Sequence, residues 1–290
     1  MSRILVAGAS GLLGSAVVRA LVAAGHEVHG TTRRADRLPL IERLGGRGIV
    51  MDALDRASVD AALAVAAPNI VIHELTDLAG FDFAANNRLR VEGTANLVGS
   101  MLAHGVPRLV AQSISWAYRP GPTTAGEQEP FATVPETGAP AFEAVEILER
   151  EVARVPHGVA LRYGLLYGPG TWYAPDGEQT ARARRGRIEA TTAWTSWVHV
   201  DDAVEATVLA LDWPPGPVNI VDDDPAQVDD WGPRYAHAAG YRGTPTISSR
   251  APGRAASNAL ARSLGWLPRH PTWRTTLADP ATFTPSGEAP

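Results

Sequence analysis

The chain has 290 residues, 45% hydrophobic and 20% charged, with a formal net charge of −5 and a pI near 5.9. That length suits one large domain, or a domain with a small lobe, and the acidic balance argues against nucleic acid or an anionic membrane as the main partner. No apolar stretch reaches the roughly 20 residues that span a bilayer, and the first apolar run, from Ile4, is broken by glycines and does not resemble a secretory signal.

In chain order, the first half alternates short apolar runs with helix-compatible segments, the pattern of a parallel sheet with crossover helices. Ile4 to Ala7 reads as a buried strand, and Leu12 to Ala24 as a helix ended by Gly25. Glu27 to Gly30, Gly48 to Met51 and Ile70 to His73 are the next three strands. Arg88 to His104 is a strong helix stopped by Gly105 and Pro107, and Arg108 to Ser113 is a fifth strand. After Trp116 the texture changes to a Pro-, Gly-, Thr- and Glu-rich surface loop from Arg119 to Pro140. Helix resumes over Phe142 to Arg154, followed by a sixth strand, Val159 to Arg162. Beyond lie an arginine-rich segment (Arg182 to Arg187), a short run Trp197 to Val200 and a helix from Asp202 to Leu211. The end of the chain, after Ala278, carries Pro and Thr and is expected to be a flexible tail.

The strongest motif is Gly8-Ala9-Ser10-Gly11-Leu12-Leu13-Gly14, directly after the first strand and opening the first helix. Glycine lets backbone amides approach a pyrophosphate, whose charge the helix N-terminus stabilises; the last glycine allows close helix–strand packing. The spacing alone also fits a plain glycine-rich turn, and the strand–turn–helix setting is what favours a dinucleotide. At the end of the second strand an NAD site would place an acid for the ribose hydroxyls. This chain has Thr31-Thr32-Arg33-Arg34, and two guanidinium groups suit a 2′-phosphate, so NADP is expected, with NAD the alternative. Asp52 could accept from the adenine amino group or simply cap a helix, and Ala53 lies beside it.

Together these residues resemble the extended or atypical short-chain dehydrogenase/reductases, in particular the NAD-dependent epimerase/dehydratase group. The matching segments are Gly8 to Gly14, Met51-Asp52, Val71 to His73, Val91 to Leu97, Leu161 to Gly170 and Trp197 to Ala203, continued by Asn219 to Val221 and Leu264 to Pro268. The resemblance implies an α/β Rossmann-type doubly wound parallel sheet with a smaller C-terminal substrate-binding lobe. Domains are expected over 1–165 (dinucleotide binding) and 166–278 (mainly substrate binding, crossing back to the core around 195–221), with a flexible tail over 279–290. It further implies that Tyr163, Gly164, Leu165 and Leu166 form the nicotinamide-contacting loop. Leu75 and Thr76 should line the ribose and pyrophosphate channel, and Gln112 should approach the cofactor.

The family's chemistry rests on a Ser or Thr after the fifth strand and a Tyr-x-x-x-Lys on the next helix. Here Ile114 takes the usual Ser/Thr place with Ser113 and Ser115 on either side, Phe142 stands at the tyrosine and Glu146 at the lysine. No realignment restores the lysine, because all 26 basic residues are arginine. Cysteine is absent as well, which excludes thiolate nucleophiles, disulfides and Cys-ligated metal. The candidates to replace the dyad are Ser113 and Ser115, on one side of an extended segment, Tyr118 at the pocket mouth, and Glu146 if burial raises its pKa. A solvated helix face is the competing account of Glu146.

Other features carry two accounts each. His199 could be a pocket acid/base or a histidine tying its run to the second lobe; Asp201 and Asp202 suit a helix cap, and His73 a structural role. Arg182, Arg184, Arg185 and Arg187 could receive a nucleotide diphosphate or form a solvated basic helix. Trp172, Trp194 and Trp197 could wall a pocket for an aromatic ligand or pack within a small lobe. No metal is expected, since the Asp222-Asp223-Asp224 run looks like a solvated turn. The sequence thus points to a cytoplasmic NADP(H)-binding enzyme, monomer or homodimer. It would act as oxidoreductase, epimerase or dehydratase on a small organic substrate, aromatic or nucleotide-linked. A non-redox isomerase, cyclase or lyase, or a non-catalytic NADP sensor, are the alternatives.

Overall fold

The structure is a computed structural model that describes residues 1–78, 82–133, 140–190, 192–248 and 252–284. Strand β1 (Arg3–Ala7) is buried from its second residue on, as a parallel strand covered on both faces must be. Helix α1 (Leu12–Ala23) follows, burying Val17, Val18 and Leu21 on one face. Next come β2 (Glu27–Thr32), α2 (Leu38–Arg43), β3 (Arg47–Val50), α3 (Arg56–Ala66) and β4 (Ile70–His73). Asp55 caps α3 by accepting from the Ala57 amide at 3.0 Å.

The single helix expected from Arg88 to His104 is instead α4 (Phe83–Arg88), a π-helical turn (Leu89–Gly93) and α5 (Thr94–Ala103). The apolar periodicity continues through the turn, which hides the extra residue from a pattern based on 3.6 residues. Strand β5 (Arg108–Ile114), α6 (Pro140–Val152) and β6 (His157–Tyr163) follow, then β7 (Leu165–Tyr167), α7 (Glu178–Ala183), β8 (Arg187–Ile188), β9 (Trp194–Thr195) and β10 (Trp197–His199). The chain ends through α8 (Val200–Leu209), β11 (Gly216–Ile220), β12 (Ala226–Gln227), α9 (Val228–Ala238), β13 (Thr246–Ile247), α10 (Ala259–Ser263) and α11 (Arg274–Leu277).

The central sheet has seven strands in the order β11-β6-β5-β4-β1-β2-β3. Pairs β1–β2, β1–β4, β2–β3 and β4–β5 are parallel, the Rossmann-type arrangement implied by the sequence. From β1 the chain winds outward to β2 and β3, then returns to the other side through β4 and β5, so the order reverses between β1 and β4. On one face Leu5, Ala7, Val71, Leu109 and Ala111 pack with Val59 and Leu63 of α3, Leu97 and Met101 of α5, and Leu148 and Val152 of α6.

By compactness the chain forms two units: residues 1–113, 133–162 and 204–218, and residues 114–132, 163–203 and 219–290. The segment after β5 belongs to the second unit because Tyr118 bridges Phe131, and Ala125 bridges Ala256, within it. The second unit has its own core of Tyr167, Tyr173, Trp197, Trp231, Tyr235 and Trp273. Trp197 is wholly buried there, with edge-on ring contacts to Tyr173 at 4.9 Å and Trp231 at 5.1 Å, so it is core rather than a pocket wall. Near the end of the described residues, Asp279 caps a short 3-10 turn (Pro280–Phe283), and buried Phe283 lies 5.7 Å from the Tyr235 ring. Residues 285–290 lie outside the described residues.

One polar contact is set into the first unit. Arg162 on β6 donates from Nε to Glu149 Oε1 at 2.9 Å and from Nη2 to Oε2 at 2.6 Å, and the Ser113 hydroxyl donates to the same Oε1 at 2.5 Å. Removing one partner of such a buried pair typically costs about 3–5 kcal/mol, because the other charge is left uncompensated. Arg162→Met should therefore lower unfolding stability in urea by about that amount. The double substitution Arg162→Met with Glu149→Leu should regain most of it.

Candidate active site

At the β1–α1 turn the backbone passes so close to β4 that side chains cannot fit. Gly8 has φ +89°, and a Cβ on it would lie 2.6 Å from the Glu74 carbonyl oxygen; one on Gly14 would lie 2.2 Å from the Gly8 oxygen. The Ala9 amide donates to the Thr31 carbonyl and the Gly11 amide to the Gly8 carbonyl, both at 3.0 Å, which fixes the loop. Gly11 is the extended N-cap of α1, whose first turn holds no acid. The Leu12 and Leu13 amides therefore have no intrahelical acceptor and remain available to an anion. This close-packed glycine turn, opening on the amides at the N-terminus of α1, fits a dinucleotide pyrophosphate. Ser10 donates to Thr32 Oγ1 at 3.0 Å, tying the loop to the end of β2.

The two arginines after β2 already hold carboxylates: Arg33 pairs with Asp77 at 3.1 Å and Arg34 with Asp36 at 2.6 Å. Asp52 accepts from the Leu54 amide at 2.9 Å, and buried Ala53 offers its carbonyl to Asn96 Nδ2 at 2.9 Å. At the exits of β4 and β5, Gln112 Nε2 donates to the Leu75 carbonyl at 2.8 Å, while Thr76 is exposed. His73 is fully buried. Its Nδ1 accepts from the Leu75 amide at 3.2 Å, so Nε2 carries the proton and donates to Thr94 Oγ1 at 2.9 Å. Burial lowers its pKa to about 4, and it is a neutral structural histidine.

The four residues named for catalysis fall into different settings. Ser113 commits its hydroxyl to Glu149. The expectation that Ser113 and Ser115 share one side assumed an extended segment, but β5 ends at Ile114 and Ser115 opens a 3-10 turn (Ser115–Ala117). Ser115 is fully buried, and its Oγ has no hydrogen-bond partner among the described residues. Tyr118 is also buried and donates to Asn219 Oδ1 at 2.6 Å; Asn219 in turn donates to the carbonyls of Ala125 and Ser257. Glu146 is exposed on α6, 3.9 Å from Arg150, as the solvated-face account has it. Phe142, one turn earlier on that helix, is buried.

In the second unit, Tyr163 ends β6, and the Gly164 amide donates to the Ile220 carbonyl at 3.0 Å. Leu165 and Leu166 are half-buried in β7, paired with β10. The rings of His199 and His270 stack at 3.7 Å. With Asp201 they bring three donor atoms within 4.8 Å, a grouping that depends on residues about seventy positions apart and left no signal in the sequence. His199 Nδ1 already accepts from the Asp201 amide at 3.2 Å, and His270 Nδ1 lies 3.2 Å from Asp202. Asp202 also takes the Arg269 and His270 amides at 2.9 Å, so it anchors the C-terminal segment. Asp222 and Asp224 do likewise, with the Trp273 amide at 3.0 Å and Arg274 at 2.8 Å. Arg182 pairs with Glu178 and Glu189, and Arg184 donates to the Ala239 carbonyl at 3.3 Å. Among the described residues, no helix is long and apolar enough to cross a membrane.

Comparison with known proteins agrees with this geometry. The model of the NAD dependent epimerase/dehydratase family matches residues 4–220, and the chain belongs to that family. A 3-diazoavenalumate denitrifying reductase from a Streptomyces species is 42% identical over 95% of this chain and 99% of its own. Among solved structures, the UDP-glucose 4-epimerase of Thermotoga maritima with UDP-glucose shares 20% identity and a TM-score of 0.78 over 97% of each chain. The UDP-glucose 4-epimerase of Thermus thermophilus in complex with NAD shares 25% identity and a TM-score of 0.74, over 92% of this chain and 94% of its own. The protein is therefore an enzyme of the oxidoreductase or epimerase/dehydratase kind.

Gly14→Ala should abolish dinucleotide binding in calorimetry, since its Cβ would have to displace the Gly8 carbonyl that shapes the turn. Gly126→Ala, where a Cβ meets nothing within 4 Å, should leave binding unchanged.

Proposed function

We propose that this protein is an NADPH-dependent reductase that removes a diazo group from a small aryl substrate as dinitrogen. The observation that carries this reading is the loss of the acid/base dyad, with Phe142 buried and Glu146 exposed, in a chain 42% identical to a denitrifying reductase. When bound, the reduced nicotinamide supplies a hydride to the diazo-bearing carbon: a C–H bond forms, and the C–N bond breaks with its electron pair leaving on N2. A carbonyl acceptor would need a proton for the developing alkoxide, which is the work of a tyrosine and lysine. A diazonium carbon needs none, because its leaving group departs neutral.

The residues then have orienting rather than proton-transfer tasks. The Gly8–Gly14 turn would hold the pyrophosphate on its amides and on the N-terminus of α1. Arg33 and Arg34 would exchange Asp77 and Asp36 for a 2′-phosphate, which accepts a bidentate guanidinium at least as well as a carboxylate. Asp52, Ala53, Leu75, Thr76 and Gln112 would shape the remainder of the cofactor channel. Ser115 is the hydroxyl we assign to a substrate oxygen, since its Oγ is buried without a partner among the described residues. Tyr118 and Asn219 would hold the turn that carries it. Ser113 and Glu146 have no catalytic part in this reading.

The protein should consume NADPH and release N2 in equal amounts from 4-diazobenzoate, followed by absorbance and by mass spectrometry of the headspace. NADPH oxidation without N2 overturns the reading. Ser115→Ala should lower turnover about tenfold, equivalent to about 1.4 kcal/mol, with NADPH affinity retained. Arg33→Ala combined with Arg34→Ala should weaken NADPH at least about tenfold in calorimetry and leave NADH nearly unchanged.

A further inference from the structure

Several arginines of the first unit are each paired with an acid. Arg47 faces Glu27, Arg56 faces Asp60, Arg88 faces Glu92 and Arg162 faces Glu149. Arg90, in the π-helical turn, faces no carboxylate among the described residues. Its hydrogen bond there is a 3.5 Å contact from Nη1 to Asn87 Oδ1, at the outer limit of such bonds. The residue is half-buried, and burial alone draws its pKa down to about 10. A guanidinium carries five donors in a fixed fork, and a desolvated one is costly until a partner satisfies them. His73, close enough to feel the charge, is neutral and already bonded to Thr94, so it cannot serve.

The position of Arg90 selects the kind of anion. Ligands of open α/β sheets sit beyond the carboxyl ends of the strands, at the point where strand order reverses. Here that point lies between β1 and β4. The amides that suit a pyrophosphate lie on the β1 turn, and the arginines that suit a 2′-phosphate follow β2. Arg90 belongs to the other side, in the helical segment that brings Thr94 onto His73 at the end of β4. A further phosphate site would be redundant there, whereas the reacting end of the ligand still lacks a charged contact. π-Helical turns occur frequently at functional sites.

We infer that Arg90 is a specificity-determining residue that receives an anionic group of the substrate, a carboxylate, on its guanidinium fork. This rests on the reading of the chain as a reductase of a small organic substrate, and its test does not depend on turnover. With saturating NADP+ present, calorimetry would compare 4-hydroxybenzoate and 4-hydroxybenzamide on the wild-type protein, Arg90→Gln and Arg90→Lys. The wild type should bind the acid, Arg90→Gln should weaken the acid at least tenfold and leave the amide unchanged, and Arg90→Lys should fall between. Circular dichroism would establish that both variants fold. A wild type that binds no acid, an equal loss for acid and amide, or a fall in NADP+ affinity instead overturns the assignment. Absence of N2 release from 4-diazobenzoate alongside acid-selective binding through Arg90 would sink the diazo chemistry and leave this site standing.

Discussion

Burying Glu149 against Arg162 costs several kcal/mol per ion before attraction is counted, and the cost is recovered only where hydrogen bonds satisfy both groups. Two guanidinium bonds and the Ser113 hydroxyl meet that demand, and doing so fixes how α6 lies on the sheet. Once Glu149 points inward, Phe142 and Val145 follow it to the interior, and Glu146 is turned to solvent. Helix α6 thus serves as a packed structural element of the first unit. Ser113 is drawn into the same contact, which leaves Ser115 as the hydroxyl not spent on the fold.

The proposed chemistry fits that arrangement. With no lysine in the chain, nothing in the first unit can lower a tyrosine pKa in the usual way. A hydride acceptor that already bears positive charge and loses a neutral gas asks for orientation and exclusion of water, not for an acid. Arginine is well suited to orientation, because it is charged at any working pH and binds planar anions through two parallel bonds. Those at Arg33, Arg34 and Arg90 are proposed to act in that way, at opposite ends of one ligand-binding edge.

Much of this was legible in the residues. The strand–glycine–helix order of residues 3–23 specifies its own conformation, because close backbone approach admits nothing larger than glycine at Gly8 and Gly14. Parallel strands buried on both faces announce themselves as apolar runs, and β1, β4, β5 and β6 fall within a residue or two of where the pattern puts them. Helices α3 and α9 are less legible: each mixes charged residues with its apolar stripe, and α9 carries Pro233 inside it. The π-helical turn escaped because its apolar positions keep a helical rhythm.

The sequence by itself determined the sheet, the glycine turn after β1 and the absence of any lysine, since each depends on residue type at short range. Only the tertiary structure decided what the polar side chains do. Ser113 meets Glu149, Tyr118 meets Asn219, and Trp197 enters a core, while Ser115 and Arg90 are left without comparable partners among the described residues. Partners 36 and 101 positions apart leave no local pattern to follow. A hydroxyl or guanidinium is committed or available according to what the fold brings within about 3 Å of it, and that distance is set by packing rather than by spacing along the chain.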